Sequence, residues 1–123
     1  MSNLIFKSSE QLLCRLYLAM NERNVASIIA ILEEGVEWSD MTNGESIVGR
    51  ECVRNYWNML WLDTRVETEP LLIEKEEDGR YCVEAHQKVT DLRGQPVSDE
   101  IVYHVFRIGK CGVLDMKIRR AVS

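Results

Sequence analysis

The chain has 123 residues, 46% of them hydrophobic and 28% charged, and a formal net charge of -5. That size and balance suit one compact domain over residues 1–123, burying a single core, with no disordered composition. An acidic chain without a run of Lys or Arg argues against a nucleic-acid partner, and no apolar run approaches membrane-spanning length.

Leu4-Ile5-Phe6 is too short for a secretory signal, so the protein is expected to be soluble and cytoplasmic. Ser8 opens a first helix, with Gln11 completing a capping box. Leu12, Leu13, Leu16, Tyr17 and Met20 recur at helical spacing and form its apolar face. Asn21-Glu22-Arg23-Asn24 interrupts the pattern, and Asn24 caps a second helix over 25–34 that buries Val25, Ile28, Ile29 and Leu32 and ends at Gly35. Glu33 and Glu34 in its last turn oppose the helix dipole.

Val36-Glu37-Trp38-Ser39-Asp40 reads as a strand, which sets Val36, Trp38 and Asp40 on one face. A carboxylate among apolar neighbours either finds a partner or has its pKa raised. Asp40 is therefore a candidate general base; the alternative is a polar strand end bonded to the loop over 41–46. A third helix follows over 49–62, with Val53, Tyr56, Trp57, Leu60 and Trp61 on one broad stripe.

From Arg65 the period changes to two. Strands are predicted over 66–76, with Pro70 marking an edge or bulge, and over 81–90, 100–108 and 113–119. Asp78-Gly79, Arg93–Pro96 and Gly109–Gly112 make the turns. Three helices followed by a four-stranded antiparallel meander define an α+β class with the helices on one sheet face. Alternation places Val102, His104, Phe106 and Ile108 on one face and Ile101, Tyr103 and Val105 on the other. The second face and the open sheet edges point to a homodimer through the sheet.

His86 shares a face with Glu84 and Lys88, opposite Val83, Ala85 and Val89, and is expected to point outward. Arg119-Arg120 reads as a solvated end. Cys14, Cys52, Cys82 and Cys111 form no C-x-x-C pair, so reduced, mostly buried thiols are expected rather than zinc ligands. The acids and histidines have no metal-ligand spacing, and no nucleotide-binding or serine-nucleophile motif occurs.

The order of segments resembles the nuclear transport factor 2-like superfamily, in the SnoaL-like branch related to ketosteroid isomerase. Tyr17-Leu18-Ala19-Met20-Asn21-Glu22-Arg23-Asn24 is similar to the family's opening, and Val36–Asp40 to its first strand. Val48-Gly49-Arg50-Glu51-Cys52-Val53-Arg54-Asn55-Tyr56-Trp57 resembles its Gly-Arg-Glu helix. The resemblance implies a cone-shaped fold: three N-terminal helices packed on a curved, mainly antiparallel sheet around an apolar pocket, in many members dimeric. It also sets Asp40 at the isomerase's general-base position, and His104 where that enzyme keeps a protonated aspartic acid as donor.

Leu16 stands where the isomerase has a tyrosine donor, and Trp57 where a supporting tyrosine lies. With those phenols gone, steroid isomerisation is not expected. The expectation is a cofactor-independent isomerase, dehydratase or hydrolase acting on a small apolar or aromatic molecule, with no metal. Asp40 would be the base and His104 the acid or orienting donor. Leu16, Met20, Trp38, Trp57, Trp61, Val102 and Phe106 would line the pocket, though the tryptophans are core residues first. The alternative is a non-catalytic homodimer that binds a small molecule or presents a surface.

Overall fold

A computed structural model describes residues 8–41 and 43–119. The expectations for the first seven residues and for Arg120 lie outside them. The elements are α1 (Ser9–Asn21), α2 (Val25–Ile31), β1 (Leu32–Ser39), β2 (Ser46–Val48), α3 (Arg50–Leu60), β3 (Thr64–Lys75), β4 (Tyr81–Asp91), β5 (Pro96–Ile108) and β6 (Val113–Arg119). One six-stranded sheet runs in the order β2-β1-β6-β5-β4-β3. Only β1 and β6 pair in parallel; the remaining neighbours are antiparallel.

The caps form where the sequence puts them. Ser8 is extended, and its hydroxyl accepts the Gln11 N–H at 3.2 Å; Asn24 accepts the Ser27 N–H at 3.1 Å. Each satisfies a donor that the first helical turn leaves without a partner. The buried face of α1 is wide, comprising Leu12, Leu13, Leu16, Tyr17, Ala19 and Met20, because β3 and α2 cover it from two sides.

The expected second helix is too long. It stops at Ile31, and Leu32 is already extended, pairing with Val113 of β6. Gly35 therefore lies within a strand and caps nothing. Two tertiary contacts hold this switch: the Arg50 guanidinium donates to the Leu32 carbonyl at 2.8 Å, and the turn before β6 crosses directly over the end of α2. Gly112 makes that crossing with φ +144°, and a Cβ there would strike the Ile31 carbonyl oxygen. Glycine is the residue that fits so close an approach at positive φ.

The four-strand meander is likewise extended, by β1 docking on β6 and by the short hairpin strand β2. Period-two alternation does not reveal such a parallel partner, and a strand of three residues leaves almost no pattern. Pro70 lies on the edge strand β3 at a register shift, as expected for a residue that cannot donate. The exposed backbone edge of β3 is covered at Thr68, whose N–H and C=O both bond the Asn21 side chain at 2.8 Å. That amide takes the place of a further strand.

The core joins one face of α1, α2 and α3 to the inner sheet face, with Trp38, Trp57, Tyr17 and Phe106 its largest fully buried members. On the outer face Ile101 is exposed and Tyr103 half-buried, whereas Val105 is buried, flanked in register by Cys82 and Lys117. The expectation of mostly buried thiols is corrected: all four are unpaired, but Cys14, Cys52 and Cys111 are exposed and Cys82 is half-buried. They sit beside the apolar stripes rather than in them. Among the described residues no helix is long and apolar enough to cross a membrane.

Trp57 is 1% exposed and Met59, on the same helix, 66%. Trp57→Ala is expected to cost roughly 3–5 kcal/mol in urea unfolding, and Met59→Ala to stay within about 0.5 kcal/mol.

Candidate functional site

His104 sits on β5 between Val102 and Phe106, and its side chain is buried on the inner face at 3% exposure. The imidazole Nδ1 and the Tyr17 hydroxyl are hydrogen-bonded at 2.7 Å, with the rings stacked 15° from parallel. Nε2 is buried with no hydrogen-bond partner among the described residues. Burial lowers the His104 pKa to about 4, so the ring is neutral at pH 7. Burial, and then the neighbouring Cys82 sulfur, raise the Tyr17 phenol well above its ordinary value.

The pair is thus neutral on both sides. If the phenol donates to Nδ1, the ring proton sits on Nε2, which becomes a donor facing the core. If Nδ1–H donates to the phenol oxygen, Nε2 is an acceptor.

Aromatic rings continue from this pair. Phe106 meets Tyr17, His104 and Trp38 edge-on, with centroids 6.2–6.3 Å apart. Trp38 meets Trp57 at 6.3 Å, and Trp57 meets Trp61 at 5.2 Å and Tyr56 at 5.5 Å. One wall therefore links α1, β5, β1 and α3. Leu16, Met20, Trp38, Trp57, Val102 and Phe106 all belong to the core cluster at 4% exposure or less, and Trp61 packs against it half-buried.

Asp40 follows the last residue of β1 and is half-buried. It shares parity with Val36 and Trp38, both of which are buried. Its backbone N–H donates to the Glu45 carbonyl at 2.8 Å, its carbonyl accepts from Gly44 at 2.9 Å, and its Oδ1 accepts the Asn43 N–H at 3.3 Å. The Tyr56 hydroxyl accepts the adjacent Met41 N–H at 2.9 Å. Burial first, and then the Asp40 carboxylate, raise the Tyr56 phenol, against the lowering effect of the Met41 bond. Asp40 thus lies near a phenol at the strand end. It is not hydrogen-bonded to His104, whose two ring nitrogens are accounted for above.

Several residues here were not anticipated from sequence. Tyr17 belongs to the predicted apolar face of α1, yet the resemblance sets Leu16 in the donor's place; both are buried, and the phenol that meets His104 is Tyr17. Tyr56, beside Trp57 on the predicted stripe, supplies a second phenol near Asp40. Phenols therefore lie beside His104 and near Asp40, although not at the two positions that the resemblance marks. Thr68 and Gln87 add buried polar side chains to the inner sheet face. His86 is bonded to Asp99 at 2.5 Å and part-exposed on the outer face. Among the described residues no three His, Cys, Asp or Glu side chains are grouped as metal ligands would be.

The fold agrees with what the chain is similar to. Residues 13–114 match the SnoaL-like domain. The chain belongs to that family, within the nuclear transport factor 2-like superfamily. Among solved structures it is similar to a protein of Pseudomonas putida KT2440 provisionally named polyketide cyclase, with TM-score 0.81 and 16% identity over 95% of this chain and 94% of that one. SalBIII, an epoxide hydrolase/cyclase-like enzyme of pyran ring formation in salinomycin, gives TM-score 0.76 and 20% identity over 89% and 87%. Rv0760c from Mycobacterium tuberculosis, in complex with estradiol-17β-hemisuccinate, gives 0.77 and 12% over 90% and 92%. The comparison with curated proteins found no match.

The lowered His104 pKa fixes a pH dependence. The unfolded state binds a proton near 6.5 and the folded state only near 4, so stability is complete above pH 6.5 and falls as pH drops from 6.5 toward 4. At about 1.4 kcal/mol per pH unit, that loss is on the order of 3 kcal/mol. Urea unfolding of wild type and His104→Gln between pH 7.5 and 4.5 checks it: the wild-type decline is expected to be the steeper by that amount.

Proposed function

We propose that the chain is a small enzyme that works without a cofactor, of isomerase or cyclase type. In this reading Asp40 is the general base and the Tyr17–His104 pair the orienting partner, acting on a small apolar or aromatic molecule held against the tryptophan wall. The observation that carries the proposal is the Tyr17–His104 hydrogen bond inside an aromatic core, with Nε2 left without a partner. A buried polar group without a partner costs about 1–3 kcal/mol, and an apolar side chain at 104 would avoid that cost. Membership of the SnoaL-like family and the cyclase-type names of similar folds support the same class of chemistry. The steroid ester held by one neighbour supports a small-molecule ligand.

The chemistry follows from the protonation states. The Asp40 carboxylate takes a proton from a carbon next to a carbonyl, and the electron pair of that C–H bond moves onto the carbonyl oxygen. A neutral imidazole that resists protonation down to about pH 4 is a poor proton store but a good hydrogen-bond donor. His104 in its Nε2–H form would stabilise the developing oxyanion, with Tyr17 fixing the tautomer. The proton then returns from the Asp40 carboxylic acid to the same or a conjugated carbon.

A second reading, a non-catalytic homodimer that presents a surface, is favoured by one observation. The lining side chains, Trp61 aside, are packed to 4% exposure or less, so a ligand must displace them to enter. In that reading exposed Ile101 on the outer sheet face is the dimer contact.

Exchange of the α-protons of 1-tetralone in D2O, followed by proton NMR, separates the two. The enzyme reading expects acceleration by wild type and a loss of about 10²- to 10⁴-fold in Asp40→Asn, with the ketone still bound. Exchange no faster than in buffer would favour the second reading instead.

A further inference from the structure

The three tryptophans of the wall share an unusual property. The indole Nε1 atoms of Trp38, Trp57 and Trp61 are all buried, and none has a hydrogen-bond partner among the described residues. Indole N–H is a donor only, and a buried one ordinarily finds an acceptor. One such orphan is tolerable in a native core, but three on rings in mutual contact call for an explanation. Shape alone does not require them, because phenylalanine would supply an apolar ring with no donor to satisfy. The same wall also carries the buried Nε2 of His104, reached from Trp38 through Phe106.

The donors are spread along the wall rather than gathered at one point. Trp61 stands at its half-buried end, capping α3, Trp57 and Trp38 follow inward, and His104 lies at the far end. An unbranched hydrocarbon would satisfy none of them.

We infer that the indole N–H groups of Trp38, Trp57 and Trp61 are the site's recognition groups for ligand oxygen. The ligand is then a ring skeleton bearing carbonyl or other acceptor oxygens, not a hydrocarbon. This rests on the small-molecule reading above and adds what selects the molecule. Because an oxygen atom must be stripped of water to enter such a core, a preference for the oxygenated ligand has to come from donors in the wall, and the tryptophan variants separate the indoles from His104.

The test uses 1-tetralone and tetralin, which share a skeleton and differ by one carbonyl. Their affinities are measured by calorimetry, and the indole N–H signals are followed in proton–nitrogen correlation spectra of the wild type. Tetralone is expected to bind about tenfold more tightly than tetralin, despite its larger desolvation cost. At least one indole N–H signal should move downfield with tetralone and stay in place with tetralin. Trp38→Phe, Trp57→Phe and Trp61→Phe, which keep an aromatic ring, should between them collapse that ratio toward one, with tetralone losing more affinity than tetralin.

Equal affinities, or indole signals that tetralone leaves unmoved, would overturn the inference while the small-molecule reading stands. Failure of both compounds to bind would overturn the two together. The wild-type spectra decide the question even where a phenylalanine variant does not fold.

Discussion

The Tyr17–His104 hydrogen bond is the interaction on which the rest of the arrangement depends. It is a 2.7 Å bond between a helix and the middle of a sheet, 87 residues apart in sequence, sealed from water. It can form only if α1 buries two adjacent residues per turn, and that in turn requires α2 and β3 to cover the helix from both sides. The same sealing lowers the imidazole pKa and raises that of the phenol, so the pair stays neutral and its direction is set by a single proton. An exposed pair of the same residues would share protons with solvent and hold no fixed orientation.

The sheet order also sets the strand that leads to Asp40. In register, Trp38 of β1 faces Met116 of β6, which faces Phe106 of β5, two residues from His104. The parallel pairing of β1 with β6 therefore sets Trp38 in line with the face that holds the imidazole, and Asp40 follows that strand's end. Gly112 and Arg50 sustain this pairing by fixing where α2 stops. Contacts at the end of α2, far from any candidate chemistry, thus set the position of Asp40's strand.

Much of this architecture was legible in the sequence, for identifiable reasons. The helix caps at Ser8 and Asn24, the α3 stripe and the alternation of β5 depend on local spacing, which a single chain displays directly. The early end of α2 was not legible, because Leu32 and Glu33 suit a helix locally and only the β6 pairing makes them strand. His104 was legible as a polar residue at an inward position, and Asp40 as a carboxylate at the end of a strand. The partner of His104 was not: Tyr17 lies one residue from the position that the resemblance marks, and its burial depends on a helix face wider than the simple stripe. The cysteines show the same limit in reverse, since apolar neighbours in sequence did not make those thiols buried.

The most direct measurement of the central interaction is a pH titration of the His104 ring nitrogens by ¹⁵N NMR. A sealed pair predicts one neutral tautomer from pH 8 down to about pH 4, with Nδ1 shifted by its hydrogen bond to Tyr17 and the shift lost in Tyr17→Phe. Titration near the ordinary histidine value of about 6.5, unaltered by Tyr17→Phe, would show the imidazole open to water and contradict the sealed pair.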